Sequence, residues 1–447
     1  MRSIKRNLNL ITAMLSLFLI GMVILVYKIY SESSFYILNS DSAVLGKIYD
    51  RNGEVLFDQN ASPETYGYDY FTDVANLIGN DSGQMTNTLV SENIELLNNY
   101  SFSYGQSEED GKSAIYTTLN HNANREVYDS FGNKNGTAIA YNYKTGEILI
   151  CVSKPGLNPF GGYENLEDGS LLCKAFYKFT PGSTQKISTL IAAREQMGEV
   201  LLNSKNFSCS GAYLNKSQQT IYCHQNSGHG EQDINAAFAN SCNPFFAQLV
   251  EDMDFNMDTA IESYKKMGYS VNDSVPMKLE INNISVQTAS TILNDKYEFS
   301  TQWGFIGQGE TMVSPCMLMM WQSAIANGTG KATLPYLIHH TTDVTGSEDI
   351  HAAVEYTSEL FKPETAEYVK QIMLNNGQRY SGSIYGYTVA VKSGTAQVKN
   401  GDEENSFLTG FNADESNPIA FCVLIEDRKP GEVTTEEIAG TILSSLS

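Results

Sequence analysis

Eighteen consecutive residues, Leu10 to Tyr27, carry no charge: LITAMLSLFLIGMVILVY. In hydrocarbon a backbone finds no water to bond, so such a run is stable there only as a helix that satisfies its own N–H and C=O groups, and this length reaches across a bilayer. Arg2, Lys5 and Arg6 precede it, and basic flanks stay on the cytoplasmic side. A cleaved signal peptide would have a shorter apolar core and a small-residue cleavage site, which YKIYSESSFY does not clearly supply. The expectation is a retained single-pass anchor in the cell membrane, with a short cytoplasmic N-terminus and the rest of the chain extracytoplasmic.

That orientation decides how the charge is read. The segment through Tyr30 contains no acid, so 26 of the 29 basic residues face all 51 acidic ones beyond the membrane, a net charge near −25. Phosphate backbones are gripped by basic surfaces, which argues against nucleic acid as a partner and against a tight electrostatic hold on anionic lipid. At 447 residues and 42% hydrophobic, the chain is long enough for two or three domains and apolar enough for a real core.

Export also permits disulfides among the seven cysteines. Cys209 and Cys223 bracket a polar loop, CSGAYLNKSQQTIYC, that one staple could close; joined and free are equally open. Cys151 in EILICVS and Cys422 in IAFCVLIE sit in apolar runs and read as core, and Cys173, Cys242 and Cys316 complete the set. No CxxC pair and no HExxH occurs, so neither a metal nor a cofactor is expected. His224 and His229 read as loop histidines.

Turn residues divide the rest. KIYDRNGEVLFDQN reads as a hairpin about Asn52-Gly53. The acidic GQSEEDGKS marks a boundary, giving an anchor over 1–30, a small N-terminal region over 31–115 and one large domain over 116–447. Within the last, GTAIAYNYKTGEILICVS is a second hairpin, and YTVAVKSGTAQ, SFLTGF and IAFCVLIED are three further strands. Helical patterns lie between: one from Ser183 to Met197 stopped by Gly198, one from Pro244 to Met253, and one with Ser314 as cap, Pro315 at its first position and Gly328 as stop. Strands at both ends and helices in the middle predict an α/β domain whose sheet both chain ends complete.

Three short stretches carry chemistry. In FTPGSTQKISTL, Pro181 and Gly182 place Ser183 in the first helical turn, where Lys186, three residues on, faces it. A serine hydroxyl becomes a nucleophile when a neighbouring base takes its proton, and a lysine held neutral can be that base. Free N–H groups of the first turn favour a developing oxyanion. Alone, the stretch reads more simply as a helix cap with a solvated lysine. In FANSCNPFF, Pro244 pushes Asn243 out of the helical region, so that Ser241 and Asn243 point one way from a loop and Cys242 the other. This too has a plain reading, a turn between helices. In VAVKSGTAQ, alternation sets Lys392 and Gly394 on one face and Ser393 and Thr395 on the other, with Gly394 leaving room for a ligand backbone; an edge strand would look the same.

Together and in this order, Ser-x-x-Lys, Ser-x-Asn and Lys-[Ser/Thr]-Gly resemble the signature of the serine acyl-transfer enzymes that recognise penicillin. With YDRNGEVL, HGEQDINAAFANSCN and GFIGQGETMVSPCMLM added, the chain resembles a class B penicillin-binding protein of short form, without a large pedestal. The resemblance implies the penicillin-binding/serine β-lactamase-like transpeptidase fold and a D,D-transpeptidase that cross-links peptidoglycan stem peptides. Ser183 would attack between two terminal D-alanines, with Lys186 as base and Ser241 passing a proton to the leaving group. Asn243 would orient Lys186 and the substrate amide, Lys392, Ser393 and Thr395 would bind the terminal carboxylate, and the N–H groups of Ser183 and Thr395 would form the oxyanion hole. Implied partners are a D-Ala-D-Ala donor, an amine acceptor, β-lactams, and division or elongation proteins.

The match departs in places. Val391 stands where the family often has glycine and adds a branched side chain beside the site, and Ser393 replaces the commoner threonine. A β-lactamase would share the motifs, but no Glu-x-x-Leu-Asn follows Ser241. A penicillin sensor needs a signalling domain across the membrane, and about eight residues precede the anchor. A carboxypeptidase, transferring the acyl group to water, stays open.

Overall fold

The computed structural model describes residues 2–38, 43–103, 105–106, 112–349, 351–398 and 401–447. The apolar run forms part of a helix, Arg2–Leu38. Within its Ile4–Ser33 stretch an 18-residue window has a mean hydropathy of 2.6 and none of it is buried inside the protein, so the helix is long and apolar enough to cross a membrane.

Five antiparallel strands form the central sheet, in the order Val389–Val398, Glu403–Asn412, Ile419–Ile425, Gly136–Asn142, Ile148–Lys154. Ile419 pairs with Asn142 and Ile425 with Gly136, so the late strands close on the early hairpin, as the pattern predicts. Every residue of Ile419–Ile425 is buried. Such a run reads as continuously apolar because both of its faces are covered.

The two faces meet different layers. Ala138, Ile150, Phe421 and Val423 pack with Ala123 and Val127 of the helix His121–Ser130 and with Ile438 and Ile442 of the helix Thr435–Ser445. Ile139, Cys151 and Cys422 face the opposite way, into the main core; both cysteines are core residues, as expected. The helix Pro315–Ala326 lies there with all its residues buried, which requires an element hydrophobic all round. Ser314 caps it by accepting from the Met317 N–H at 3.2 Å, and Gly328 turns the chain away at φ 69°. Trp321 donates to the Met267 carbonyl at 2.9 Å and stacks on Tyr269. Truncating a buried aromatic of this kind costs about 3–5 kcal/mol.

A second sheet has the order Glu348–Asp349, Ile338–Thr342, Ala114–Thr117, Lys47–Tyr49, Val55–Phe57. It contains the hairpin about Gly53, which sits at φ 88°, and joins strands from both sides of position 115. Residues 107–111 of the acidic stretch read as a boundary lie outside the described residues.

Val391 is fully buried in the layer beneath His121–Ser130 and Thr435–Ser445. The expectation that it adds a branched side chain beside the site is corrected: that side chain is taken up by the packing of this layer.

Candidate active site

The turn before Ser183 is wedged between two backbones. Gly182 has φ 55°, and a Cβ there would sit 2.4 Å from the Thr395 carbonyl oxygen. Its N–H donates to the Gly307 carbonyl at 2.8 Å. Gly307, at φ 97°, could not carry a Cβ without meeting the Gly182 oxygen at 1.9 Å. Ser183 therefore starts a tight 3-10 turn, Gly182–Gln185, that continues as the helix Lys186–Asn203. The helix kinks at Gly198 (φ 72°, ψ 168°), where the sequence predicts its end, and resumes to Asn203.

Gly394 answers to the same crowding. A Cβ on it would lie 2.8 Å from the Pro181 oxygen, 2.9 Å from the Thr184 nitrogen and 3.1 Å from the Ser183 nitrogen. What Gly394 admits is this chain's own nucleophile turn, which corrects the reading that a ligand backbone fills the space.

Lys186 is fully buried and its Nζ is the hub. It lies 2.6 Å from Ser183 Oγ, 2.7 Å from Asn243 Oδ1, 3.0 Å from the Ser241 carbonyl oxygen and 3.4 Å from Ser241 Oγ. Asn243 Nδ2 donates to the Tyr222 carbonyl at 3.1 Å, which turns Oδ1 toward the lysine. Lys392 Nζ enters from the other side, 3.1 Å from Ser241 Oγ and 2.7 Å from the Ser393 carbonyl. The Ser241 hydroxyl thus stands between two amines.

Burial governs both. Removing an ammonium from water favours its neutral form, and burial brings the Lys186 pKa down to about 7 although the sulfurs of Cys242 and Cys223 pull the other way. Lys392 is held well below the usual lysine range by burial, then by the positive charges of Lys186 and Arg379. A neutral Lys186 has two hydrogens and one lone pair. The Asn243 and Ser241 carbonyl oxygens can only accept, so they take the hydrogens and the lone pair is left for the Ser183 hydroxyl.

The second stretch is bent differently from expectation. Ser241 is left-handed at φ 51°, a conformation that costs a non-glycine residue about 1 kcal/mol or more. Asn243 is the first residue of the helix Asn243–Glu251 rather than part of the loop, since proline is tolerated within the first turn. The outcome is still that Ser241 and Asn243 face Lys186.

On the strand Val389–Val398, Lys392 and Gly394 are buried while Thr395 is exposed and Ser393 half-buried. Being at the sheet edge, the strand offers both faces to one cleft. Ser393 Oγ is 2.8 Å from Tyr380 OH. The cleft holds about 510 Å³, lined by Ser183, Ser241, Asn243, Ser393, Gly394 and Thr395, with Tyr222, His224, Trp303, Gln308, Gln397 and Glu404 around them. Of those last six and Tyr380, the sequence singles out only His224, and as a loop histidine; Tyr222, Trp303, Gln308, Gln397, Glu404 and Tyr380 carry no signal of their own. Tyr222, Gln308 and Gln397 lie within the stretches CSGAYLNKSQQTIYC, GFIGQGETMVSPCMLM and VAVKSGTAQ.

All seven cysteines are free, and no Cys209–Cys223 disulfide is formed. Cys209, Cys223, Cys242 and His229 instead converge, and these are residues able to hold a soft metal ion, which the absence of CxxC and HExxH spacing concealed.

A model of the penicillin-binding protein transpeptidase domain matches residues 136–445. Stage V sporulation protein D of Bacillus subtilis is 25% identical over 327 residues, covering 69% of this chain and 47% of that protein. Peptidoglycan D,D-transpeptidase FtsI of Buchnera aphidicola is 24% identical over 322 residues, covering 70% and 53%. The chain spans about half the length of the curated relatives it matches. Among solved structures, PBPA from Mycobacterium tuberculosis superposes with a TM-score of 0.75 at 17% identity, covering 90% of this chain and 99% of the other. The D,D-transpeptidase domain of a peptidoglycan glycosyltransferase from Eggerthella lenta gives 0.73 at 20%, covering 90% and 97%. Within this fold the half-buried Ser183 and Ser241 meet on the fully buried Lys186. The chain belongs to the penicillin-binding protein transpeptidase domain family.

Proposed function

We propose that this chain is a membrane-anchored serine D,D-transpeptidase that cross-links peptidoglycan stem peptides through an acyl-enzyme. The observation that carries the reading is the geometry about the two buried lysines, with Lys186 Nζ 2.6 Å from Ser183 Oγ and both lysines on the Ser241 hydroxyl. Ser183 Oγ attacks the carbonyl carbon between the terminal D-alanines as Lys186 takes its proton. The oxyanion is met by the N–H groups of Ser183 and Thr395, each such donor being worth about 3 kcal/mol in a preorganised site. Ser241 passes a proton to the departing nitrogen and is replenished from the lysines it bridges. Lys392, Ser393 and Thr395 hold the donor's terminal carboxylate, whose charge favours the protonated form of Lys392 when it arrives. An amine of a second stem peptide then takes the acyl group.

FtsI of Buchnera aphidicola carries the name peptidoglycan D,D-transpeptidase, and PBPA has been captured as a penicillin G acyl-enzyme; both support the reading. The anchor would lie over 1–30 with its basic end in the cytoplasm, followed by a small region over 31–115 and the catalytic domain over 116–447 outside. The test is intact-protein mass over time with benzylpenicillin, alongside Ser183→Ala. A one-to-one adduct that persists for many minutes and is missing from the variant supports the proposal, rapid decay with turnover marks a β-lactamase, and no adduct overturns it. A D-Ala-D-Ala peptide offered with a labelled amine separates transfer to amine from hydrolysis.

A further inference from the structure

Behind the cleft, three sulfurs and an imidazole nitrogen meet. The ligand atoms of Cys209, Cys223, His229 and Cys242 all lie within 4.8 Å of one another, and Cys223 Sγ is 3.4 Å from His229 Nδ1. The three thiols are buried and His229 is half-buried. In a tetrahedral zinc site, with Zn–S about 2.3 Å and Zn–N about 2.0 Å, ligand atoms stand about 3.5 to 3.8 Å apart. With every pair within 4.8 Å, the cluster has to contract by about 1 Å to reach that size.

The backbone is shaped to bring them there. Cys209 ends the strand Phe207–Cys209, which pairs with Gly230–Gln232 so that Gly230 lies opposite Cys209 and His229 falls beside it. Gly228, at φ 77°, could not carry a Cβ without meeting the Cys209 oxygen at 2.1 Å, and Gly211 is equally crowded by the Asn226 oxygen. Backbone N–H groups point at each sulfur: Gly211 and His229 at Cys209, Gln225 at Cys223, Phe245 at Cys242. Hydrogen bonds of this kind orient and hold metal-bound ligands. A Cys209–Cys223 disulfide would use two of the sulfurs and give no part to Cys242 or His229.

We propose that Cys209, Cys223, His229 and Cys242 bind one zinc ion. Three thiolates and an imidazole are a soft tetrahedral donor set, and four protein ligands leave no open position, so the ion is structural rather than catalytic. Its entry displaces the thiol protons to solvent. Cys242 lies between Ser241 and Asn243, and Tyr222, whose carbonyl receives the Asn243 amide, is next to Cys223. The ion therefore ties the excursion from Cys209 to His229 to the segment that presents Ser241 and Asn243 to Lys186, and holds Ser241 in its left-handed conformation. The metal site stands independently of the transpeptidase reading; its influence on acylation rests on that reading.

The full chain is purified in detergent from cells grown with added zinc, and its metal content is measured alongside Cys209→Ser, Cys242→Ser and His229→Ala. The parent carries about one zinc per chain and the variants lose it. Cobalt in place of zinc gives the visible bands of a tetrahedral thiolate site, which decides the matter on the unmodified chain should a variant fail to fold. Stripping with a strong chelator slows labelling by a fluorescent penicillin about tenfold or more, and added zinc restores it. A parent with no stoichiometric metal and no cobalt spectrum, or with Cys209 joined to Cys223, overturns the site. Bound zinc whose removal leaves labelling unchanged overturns its hold on Ser241. Bound zinc in a chain that no penicillin labels keeps the metal site and overturns the transpeptidase reading instead.

Discussion

Lys392 Nζ lies 3.1 Å from the Ser241 hydroxyl, although 151 positions separate the two residues. The same hydroxyl is 3.4 Å from Lys186 Nζ. Two buried amines on one hydroxyl cannot both stay charged cheaply, and that conflict sets the pH behaviour of the site.

Acylation by benzylpenicillin should rise with pH through about 7, because the Lys186 pKa lies there and only its neutral form can take the Ser183 proton. The second-order labelling rate, followed from about pH 5 to about pH 9, checks this. Asn243→Asp puts a carboxylate where Oδ1 stands 2.7 Å from the lysine, favours the ammonium and moves the rise to higher pH. A flat profile in the parent would sink the assignment of Lys186 as base.

Lys186→Met should lower the acylation rate by about 10²- to 10⁴-fold, the usual share of a general base. The same change removes a fully buried amine and replaces it with an apolar side chain of similar length, so thermal stability should be unchanged or higher. Labelling and a melting curve on one preparation test both halves.

Gly394→Ala forces a methyl to within 3.1 Å or less of three backbone atoms of the Ser183 turn. It should cost about 1–3 kcal/mol of stability and displace the nucleophile, lowering the labelling rate. Gly382→Ala, where nothing lies within 4 Å, is the control and should behave as the parent.

Val391→Gly restores the family's commoner residue but empties a buried position beneath Thr435–Ser445. Loss of the side chain should cost about 2–4 kcal/mol, through the cavity and the freed backbone. The labelling rate per folded molecule should change little; a large gain would show that Val391 does crowd the cleft.

Much of this was legible along the chain. The strands from Gly136 and from Val389, the capped helix at Ser314, and the pairing of Ser183 with Lys186 rest on turn residues, alternation and helical spacing. These are short-range signals, and each constrains only its neighbours. The order of the three stretches was readable for the same reason, since each has its own local form.

The tertiary structure alone decided what meets across long separations. Packing placed Lys392 on Ser241, brought the Pro181–Thr184 turn against Gly394, turned Val391 into the core, and closed Cys209, Cys223, His229 and Cys242 into one cluster. The sequence determined by itself the apolar anchor run, the α/β pattern and the residues of the three motifs. It could not determine these contacts, because distances between remote residues are set by how sheets and helices fill a shared interior, to which every residue in the core contributes.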